Sequence, residues 1–262
     1  MSDVIVHDSA GVREVRLDRP AKRNALTRAM YAAMADALSG AAAAGMRAIW
    51  LHGSAACFTA GNDLVDFAQA APGQPSAALA FLAALVGCDT PVVASVNGAA
   101  VGIGTTLLLH CDLAYCSAEA RFQLPFVNLG LCPEGASSLL LPARAGLLQA
   151  SALLLLGEPF DAATALACGI VNAVLPDAAA ADAMGRRRAE ALAAKPPDAL
   201  RTTRMLLRGR QRAAITEALR EEGAAFARLL QGPEAREALA AFQEKRAPDF
   251  SALPRTGPSA AD

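Results

Sequence analysis

A carboxylate among small and apolar residues is the strongest candidate for chemistry in this sequence. Glu134 lies in Pro133-Glu134-Gly135, at the end of a long, mostly apolar stretch, residues 91–135. A carboxylate in such surroundings is a candidate general acid or base. A glutamate just after a proline is also typical of the first turn of a helix, where its charge complements the helix dipole. The residues alone leave both interpretations of Glu134 open.

A glycine-rich turn upstream of Glu134 predicts a site for negative charge. An apolar, β-branched run at 92–96 is followed by a segment with three glycines, 97–104, and then by a helical pattern at 105–110. A strand, a glycine turn and a helix start direct unpaired backbone N–H groups outward. Such a site holds a phosphate, or an oxygen that becomes anionic during a reaction. Together with Glu134, it indicates acid/base chemistry on an anionic intermediate or substrate.

The same turn does not match a dinucleotide-binding motif. Gly102-Ile103-Gly104 is followed by Leu107 where the motif requires its third glycine, and the expected acidic residue about twenty positions later is missing. The other polar residues nearby are predicted to be structural: satisfied core histidines at His52 and His110, a buried scaffold carboxylate at Asp112, a loop cap at Asp63, and helix caps at Thr105 and Thr106.

Composition and charge limit the classes of function. The 262 residues are 54% apolar and 19% charged, with a formal net charge of -1. Such a chain is globular, and its charge argues against nucleic acid or an anionic membrane as a partner. The six cysteines never occur at C-x-x-C spacing, so we expect reduced, mostly buried thiols and no metal site. A membrane-length apolar run, a signal peptide and a C-terminal targeting tag are also missing, and we expect a cytoplasmic protein.

Strands and helices alternate along the first two thirds of the chain, which predicts an α/β fold. We expect a core at 1–195 and a helical C-terminal region at 196–262 that packs on a neighbouring subunit. The predicted strands are 4–6, 12–17, 48–52, 92–96, 112–116 and 170–175. Thr27 is the predicted N-cap of a first helix that extends to about Ala44, and the other predicted helices are 77–87, 105–110, 147–156, 162–168, 178–194, 199–208, 212–230 and 234–245. The segment Gln69 to Ser76, with two prolines and a glycine, predicts a mobile surface loop.

Basic residues precede the first predicted helix. Lys22 and Arg23 stand beside Asn24, shortly after Arg19-Pro20. Basic side chains at this position bind a phosphate or form a solvated turn, and the residues alone do not decide between the two.

Taken together, these segments resemble the crotonase (enoyl-CoA hydratase/isomerase) superfamily over roughly residues 4–207. The resemblance rests on motifs in the right order: Arg19-Pro20 with Lys22-Arg23-Asn24-Ala25-Leu26, Phe58-Thr59-Ala60-Gly61-Asn62-Asp63-Leu64, Val96-Asn97-Gly98-Ala99-Ala100-Val101-Gly102-Ile103-Gly104, Asp112-Leu113-Ala114, and Gly130-Leu131-Cys132-Pro133.

The resemblance implies a crotonase-like ββα superhelix, or spiral, that assembles as a homotrimer or as a hexamer made of two trimers. It implies an acyl-CoA substrate and no metal or redox cofactor. The thioester oxygen would lie in an oxyanion hole made by the backbone N–H groups of Asn62 and Ile103. The CoA-binding residues implied by position are Lys22, Arg23, Asn24, Leu26 and Ala60. The loop 69–76 would border the acyl tunnel.

Departures from the family pattern predict the type of reaction. Hydratases of the family use two glutamates, and those positions here read Thr106 and Phe126, which argues against hydration. The remaining carboxylate, Glu134, stands in a context similar to Δ3,Δ2-enoyl-CoA isomerases, which implies a catalytic Glu134 and an isomerase. Two alternatives stay open: a ring-epoxide-type isomerase, or another family reaction, in aromatic acyl-CoA degradation, and a non-catalytic acyl-CoA-binding protein.

Overall fold

The computed structural model describes residues 2–54, 56–63, 66, 76–251 and 253. The strands in this part of the chain are β1 (Val4–Ser9), β2 (Val12–Leu17), β3 (Ala48–His52), β4 (Cys57–Thr59), β5 (Val92–Val96), β6 (Ala99–Val101), β7 (Leu113–Ser117), β8 (Arg121–Gln123), β9 (Phe160–Asp161) and β10 (Ala173–Leu175).

The α-helices are α1 (Arg28–Ser39), α2 (Ala77–Gly87), α3 (Ile103–Thr106), α4 (Ser137–Ala145), α5 (Leu147–Ser151), α6 (Ala162–Ala167), α7 (Ala178–Ala193), α8 (Pro197–Arg208), α9 (Arg212–Leu230) and α10 (Pro233–Glu244). Tighter single turns lie at Pro20–Lys22, Leu107–His110, Val127–Leu129 and Gly209–Gln211, and a wider turn at Ala152–Leu156. None of the helices described is long and apolar enough to cross a membrane.

The strands form two sheets that the chain visits in alternation. One sheet has the order β1-β2-β3-β5-β7-β10 and is parallel from β2 onward; the other has the order β4-β6-β8-β9 and is parallel from β4 to β8. Thus β3, β5 and β7 are each followed by a short strand of the second sheet. This repeated pair of strands followed by helical turns is the ββα spiral, and it brings the ends of β4 and β6 side by side.

A sharp corner between β5 and β6 carries the chain from one sheet to the other. Gly98 has φ +61°, and a Cβ atom there would lie 2.0 Å from the carbonyl oxygen of Ala56. Any side chain at this position would therefore displace backbone. The glycine of the Asn97-Gly98 pair is what allows the two sheets to approach each other.

Helix α7 covers the outer face of the larger sheet with small residues. Ala181, Gly185 and Ala189 are spaced by four and are buried or nearly so, which is one face of a helix. A Cβ atom on Gly185 would lie 2.0 Å from the hydroxyl oxygen of Ser95, so the helix backbone rests directly on the sheet. The main hydrophobic core lies on the other side, around Phe58, Phe122 and Leu107.

The C-terminal helices pack against elements from earlier in the chain. Helix α9 packs on α2 and α4, and α10 packs on the 127–129 turn. Helix α8 contributes no fully buried residue and leaves Met205, Leu206 and Leu207 more than half exposed. The C-terminal helices therefore bury part of their surface on the core and leave an apolar strip uncovered within one chain.

The α/β class and most of the longer elements follow the sequence predictions, although the strand predicted at 170–175 begins only at Ala173. Thr27 caps α1 by accepting a hydrogen bond from the N–H of Met30 at 3.2 Å, as predicted. The helix ends at Ser39 and not near Ala44, because Gly40 follows and the chain enters a series of turns. Helix α4, with Pro142 inside it, was not predicted.

The short strands of the second sheet were also missed, because two or three residues are too few to show a periodicity. The segment predicted as 105–110 begins earlier, at Ile103, and tightens after Thr106. Residues 69–75 of the predicted mobile loop lie outside the described residues.

Candidate active site

Two turns follow neighbouring parallel strands of the smaller sheet. Strand β4 pairs with β6, with Thr59 opposite Ala100. Asn62 comes three residues after Thr59, and Ile103 comes three residues after Ala100. Because the carboxyl ends of parallel strands meet at one edge, the turns that carry Asn62 and Ile103 lie side by side.

Two glycines allow these turns to touch. Gly61 has φ +86°, and a Cβ atom on it would lie 2.8 Å from the carbonyl oxygen of Val101. Gly104 faces the other strand end, where a Cβ atom would lie 2.5 Å from Cγ2 of Thr59. The spacing of the two turns is therefore fixed by close packing of the glycine backbone on the neighbouring strand ends, which a larger residue would force apart.

Asn62 is held by a parallel β-bridge to Leu26 on one side and by the side chain of Tyr31 on the other. The N–H of Leu26 donates to Gly61 O at 2.8 Å, and the N–H of Asp63 donates to Leu26 O at 2.9 Å. In this parallel pairing the N–H of Asn62 itself points to the opposite side. The hydroxyl of Tyr31 donates to Oδ1 of Asn62 at 2.5 Å, which fixes the side chain.

Ile103 is the first residue of α3, directly after Gly102 with φ +56°. The N–H groups of Thr105 and Thr106 both donate to Gly102 O, at 2.9 and 3.0 Å. The N–H of Ile103 lies before them in the first turn, where the helix provides no acceptor for it. The arrangement offers backbone N–H groups at the positive end of a short helix, as the glycine turn predicted.

Glu134 is buried against the same short helix. Its carboxyl group accepts a hydrogen bond from the hydroxyl of Thr106 at 2.6 Å, and the residue is 8% exposed. Burial raises the pKa of Glu134 from 4.5 to about 7, opposed by the Thr106 hydrogen bond and reinforced by the charge of Glu222. A carboxyl group with a pKa near neutrality can both accept and donate a proton.

The turn that carries Glu134 adopts unusual backbone conformations. Gly135 has φ +72°, and a Cβ atom there would lie 2.8 Å from the hydroxyl oxygen of Thr106. Ala136 follows with φ +53°, in the left-handed region that non-glycine residues rarely adopt. His110 supports the turn through a 2.7 Å hydrogen bond from Nε2 to Gly135 O. Burial lowers the pKa of His110 to about 4, so the ring is neutral and its Nε2 carries the donated proton.

Glu222 of α9 accepts hydrogen bonds from the backbone N–H groups at the start of α4. Its carboxylate accepts from the N–H of Ala136 at 2.6 Å and from the N–H of Ser138 at 2.9 Å, as well as from the Ser138 hydroxyl. Glu134 lies before α4 and bonds to Thr106 instead. The interpretation of Glu134 as a helix-dipole partner is therefore wrong, because Glu222 fills that role.

The sequence analysis did not single out Glu222. The signal that was available is a carboxylate on an apolar helix face, since Leu219 lies three residues before it and Phe226 four residues after it. An acidic residue on such a face is buried and needs partners within the protein. Its partners come from the distant Glu134 turn, so no local motif pointed to them.

The predicted CoA-binding segment lies against β4. Asn24 is fully buried, and its amide donates to Cys57 O and Phe58 O, at 2.9 and 3.1 Å. The N–H of Ala60 donates to Arg23 O at 3.0 Å. Lys22 and Arg23 keep exposed side chains, while Leu26 is buried in the core. Asn24 and Leu26 therefore position the segment, and the basic side chains face outward.

The remaining predicted residues divide between structural roles and corrections. His52 is buried and bonds to Glu14 at 2.8 Å, and Asp112 binds Arg204 at 2.8 Å, both as predicted. Asp63 accepts from the N–H of Asp66 at 3.2 Å and pairs with Arg19. The prediction that Thr105 and Thr106 cap α3 is wrong: both lie inside the helix, where Thr105 bonds to Ala100 O and Thr106 to Glu134.

Phe126 stands at the other position where hydratases of the family carry a glutamate. It is 5% exposed, and its ring lies close to Gly102, 3.9 Å from where a Cβ atom on that glycine would be.

Among the residues that the structure describes, no three histidine, cysteine or acidic side chains gather as metal ligands would. The six cysteines are free thiols, buried except for the half-buried Cys132.

Comparison with protein families gives a match over nearly the whole chain. The family model for enoyl-CoA hydratase/isomerase matches residues 7–253. The chain belongs to this family. A crystal structure of an enoyl-CoA hydratase/isomerase from Pseudoalteromonas atlantica T6c superposes with a TM-score of 0.89 at 40% identity, covering 95% of this chain and all of that one. The ββα spiral of this crotonase-like protein is thereby confirmed.

Curated relatives of this family member carry different activities in their names. Human enoyl-CoA delta isomerase 2 is 34% identical over 227 residues, which are 84% of this chain and 57% of the human protein. The 2,3-dehydroadipyl-CoA hydratase of Escherichia coli K12 is 32% identical over 253 residues, 95% of this chain and 99% of the relative. The 1,2-epoxyphenylacetyl-CoA isomerase of the same organism is 31% identical over 261 residues, 96% of this chain and 99% of the relative.

This chain thus spans little more than half the length of the human isomerase and of its rat counterpart, of which it covers 58%.

Proposed function

We propose that this chain is an acyl-CoA enzyme that moves a double bond from a 3-enoyl-CoA to the conjugated 2-enoyl-CoA. The observation that supports this most is Glu134, a buried carboxyl group with a pKa of about 7 on a rigid turn beside α3. One acid/base group that works in both directions is what a double-bond shift requires. A single carboxylate needs neither a metal nor a redox cofactor for this reaction.

The proton moves in two steps. Glu134, ionised, takes a proton from C2 of the 3-enoyl thioester, and the electron pair of that C–H bond forms a dienolate. The same carboxyl group then returns the proton to C4, and the double bond now lies between C2 and C3. Because C2 and C4 lie on one side of a planar dienolate, one side chain reaches both carbons.

The negative charge of the dienolate collects on the thioester oxygen. We assign the backbone N–H groups of Asn62 and Ile103 as its donors, because they lie on adjacent turns with their other hydrogen bonds directed elsewhere. Each preorganised donor of this kind stabilises a transition state by roughly 3 kcal/mol. Thr106, between Ile103 and Glu134, links the two parts of the site through its hydroxyl.

The CoA portion of the substrate has its counterpart in the basic segment before α1. Lys22 and Arg23 are exposed, and Asn24 and Leu26 hold that segment beside Ala60 and the Asn62 turn. We assign the two basic side chains to the phosphates of CoA, since a cation with no buried role in the fold suits a solvent-exposed phosphate. Asn24, Leu26 and Ala60 shape the backbone of that site.

Hydration is the competing reaction that one relative's name suggests. The residues favour isomerisation, because Thr106 and Phe126 occupy the positions of the hydratase glutamates and a phenylalanine cannot activate water. Ring-epoxide isomerisation is supported by the E. coli relative whose name specifies it. It would use the same donors and the same carboxyl group on a different acyl part.

The test is to incubate the purified protein with a trans-3-enoyl-CoA and follow the absorbance of the conjugated product. We expect turnover in the wild type and a loss of roughly 10³-fold in Glu134→Gln, since general acid–base catalysis contributes rate factors of this size. CoA binding, measured by calorimetry, should be the same in both proteins. A 2-enoyl-CoA and a phenylacetyl-CoA ring epoxide are assayed in parallel.

Full activity of Glu134→Gln would contradict the mechanism. Water addition to the 2-enoyl-CoA faster than isomerisation would replace it with hydration, and turnover of the epoxide alone would assign the second isomerase reaction. Acyl-CoA binding without turnover of any of these substrates would leave a non-catalytic binding protein.

We also propose that the chain works as a homotrimer, alone or paired into a hexamer. An apolar surface supports this, because Leu147, Leu148, Leu155 and Leu156 are all more than half exposed, as are Met205–Leu207 of α8. Exposed apolar residues on this scale mark protein interfaces. Light scattering after size-exclusion chromatography gives the mass, and a monomer at micromolar concentration would contradict the proposal.

A further inference from the structure

A cavity of about 600 Å³ lies behind the Glu134 turn. Its described walls come from the end of α2, the 107–110 turn, α4, α8 and α9, and they do not include Glu134, Asn62 or Ile103. Volumes of this size accommodate small organic ligands. The proposed reaction gives this cavity no task.

Arginines dominate the charged groups of the cavity wall. They are Arg144, Arg201, Arg204, Arg208 and Arg212, against one wall carboxylate, Asp89. Asp89 is 3.8 Å from the Arg212 guanidinium and its side chain is 75% exposed, so water screens this ion pair strongly.

The innermost arginines are also short of negative charge. Arg204 and Arg208 share one carboxylate, Asp112, at 2.8 and 3.2 Å. Arg144 donates to the carbonyl oxygens of Leu109 and Gly169, which carry no net charge, and no ion pair with it occurs among the described residues. This group of three guanidinium groups thus contains a single half-buried carboxylate, which leaves an excess of two positive charges.

One donor in this group is unused. The Nη2 atom of Arg204 is buried and has no hydrogen-bond partner, although the other two nitrogens of the same guanidinium bond to Asp112 and to Cys88 O. A buried charged donor without an acceptor is costly to the fold. An anion bound between these arginines would accept from it and offset the excess charge.

Apolar side chains form much of the rest of the wall. Leu109, Leu140, Leu207 and Ile215 line it together with Met205. We propose that this cavity binds a small organic anion of the phosphate monoester class, with its phosphate among the arginines and an apolar body against the leucines. A dianion matches the two excess charges, and guanidinium groups bind phosphate oxygens in pairs.

The proposed ligand would lie next to supports of the catalytic turn. His110 lines the cavity and holds Gly135 through its carbonyl oxygen, and Arg144 lies on α4, directly after that turn. The anion site and the acid/base group are therefore separate but share one structural element.

Calorimetric titration with phenyl phosphate tests the proposal, because this probe is a dianionic monoester with an apolar ring. The titration uses the full chain and, in parallel, a Lys22→Met/Arg23→Met variant, which lacks the basic pair assigned to CoA. We expect saturable binding of equal strength in both proteins. Arg144→Met should weaken binding about tenfold, as expected for loss of a hydrogen bond to a charged group.

A matched pair of variants on the apolar strip of α8, which we assign above to the subunit interface, tests the location without replacing an arginine. Met205→Glu places a negative charge on the cavity wall, whereas the neighbouring Leu206 is as exposed and does not line the cavity. We expect about tenfold weaker binding in Met205→Glu and wild-type binding in Leu206→Glu. Light scattering is recorded for each variant, so that a change in assembly is seen directly.

Several outcomes would overturn the proposal. These are no binding of phenyl phosphate to the wild type, loss of binding in the Lys22→Met/Arg23→Met variant, and equal binding in the two glutamate variants. If the wild type does not bind phenyl phosphate and light scattering shows an oligomer, a side chain of a second copy fills the cavity instead.

Discussion

The two halves of the candidate active site are built in opposite ways. The turns that present the N–H groups of Asn62 and Ile103 are fixed by backbone packing, with Gly61 and Gly104 pressed against the neighbouring strand ends. The turn that carries Glu134 is fixed by side chains that reach it from elsewhere, namely Thr106, His110 and Glu222. One half is set by the backbone at two neighbouring strand ends, and the other by side chains that come from residues 106–110 and from Glu222.

This difference predicts which amino-acid substitutions each half of the site tolerates. A backbone-built donor site fails when a Cβ atom is added, because its position depends on contacts closer than any side chain permits. A site built by side chains keeps its shape after a single loss but changes its proton affinity, because each partner acts on the charge of Glu134. Substitutions in the two halves should therefore affect different measurements.

Among substitutions that leave Glu134 itself in place, the largest effect is expected from Gly61→Ala in the backbone-built half. The new Cβ atom would meet Val101 O at 2.8 Å, so the Asn62 turn must move. A displacement of about 1 Å in a catalytic group costs roughly 10²-fold in rate. We expect kcat/KM for a 3-enoyl-CoA to fall by that factor, with the pH profile keeping its shape.

Gly45→Ala is the matched control. Gly45 also has a positive φ, +76°, but nothing lies within 4 Å of its added Cβ atom. It should lower the free energy of unfolding by about 1 kcal/mol, the cost of a left-handed alanine, and leave kcat/KM unchanged. Equal losses of activity in the two variants would mean that contact with Val101 is not what positions Asn62.

A smaller effect with a different signature is expected from Thr106→Val in the half built by side chains. The Thr106 hydroxyl stabilises the ionised form of Glu134 and lowers its pKa. Without it the pKa rises above about 7, so less carboxylate is available at neutral pH. We expect kcat/KM to fall about tenfold at pH 7 and to recover at higher pH.

The rate profile from pH 5 to 9 tests this, with Thr106→Ser as the variant that keeps the hydroxyl. An unchanged acidic limb in Thr106→Val would show that the hydrogen bond does not control the base.

The smallest change in rate is expected from Glu222→Gln, which should shift the pKa of Glu134 in the opposite direction to Thr106→Val. The charge of Glu222 raises the pKa of Glu134, so its removal should move the acidic limb of the profile to lower pH. The lost charge-assisted bonds to Ala136 and Ser138 should lower the free energy of unfolding by about 2 kcal/mol. Glu221→Gln changes an exposed neighbour and should do neither. A shift of the limb to higher pH would refute the electrostatic coupling.

The contrast between the two halves of the site also explains which of its residues could be predicted from the sequence. Asn62 and Ile103 were assigned by resemblance, and the glycine turn that carries Ile103 was also predicted directly from its pattern of strand, glycines and helix. Glu134 was recognised as a candidate, but its partners were not, because Thr106 and Glu222 approach it only after the chain has folded. Thr106 was assigned to a cap for the same reason.

The α/β class and the longer elements were predictable because their apolar periodicity extends over several turns or residue pairs. The second sheet was not, since strands such as β4 and β6 are three residues long and gain their stability from pairing across the spiral. The loop at 69–75 remains a prediction, as do the individual CoA-binding residues.

The burial of Glu134 has a consequence for the stability of the folded protein. Its pKa is 4.5 in an exposed chain and about 7 in the folded one, so the folded state holds this proton more tightly. The resulting stabilisation is complete below pH 4.5 and is lost as the pH rises through about 7, a difference of about 3 kcal/mol. Urea unfolding at pH 5 and pH 8 should show that Glu134→Gln gains about 2.5 kcal/mol on the wild type at the higher pH, since part of the stabilisation is already lost at pH 5, and parallel curves would disprove it. The proton that the wild type must give up to become a base is also one that helps to keep it folded, so activity and thermodynamic stability oppose each other at a single carboxyl group.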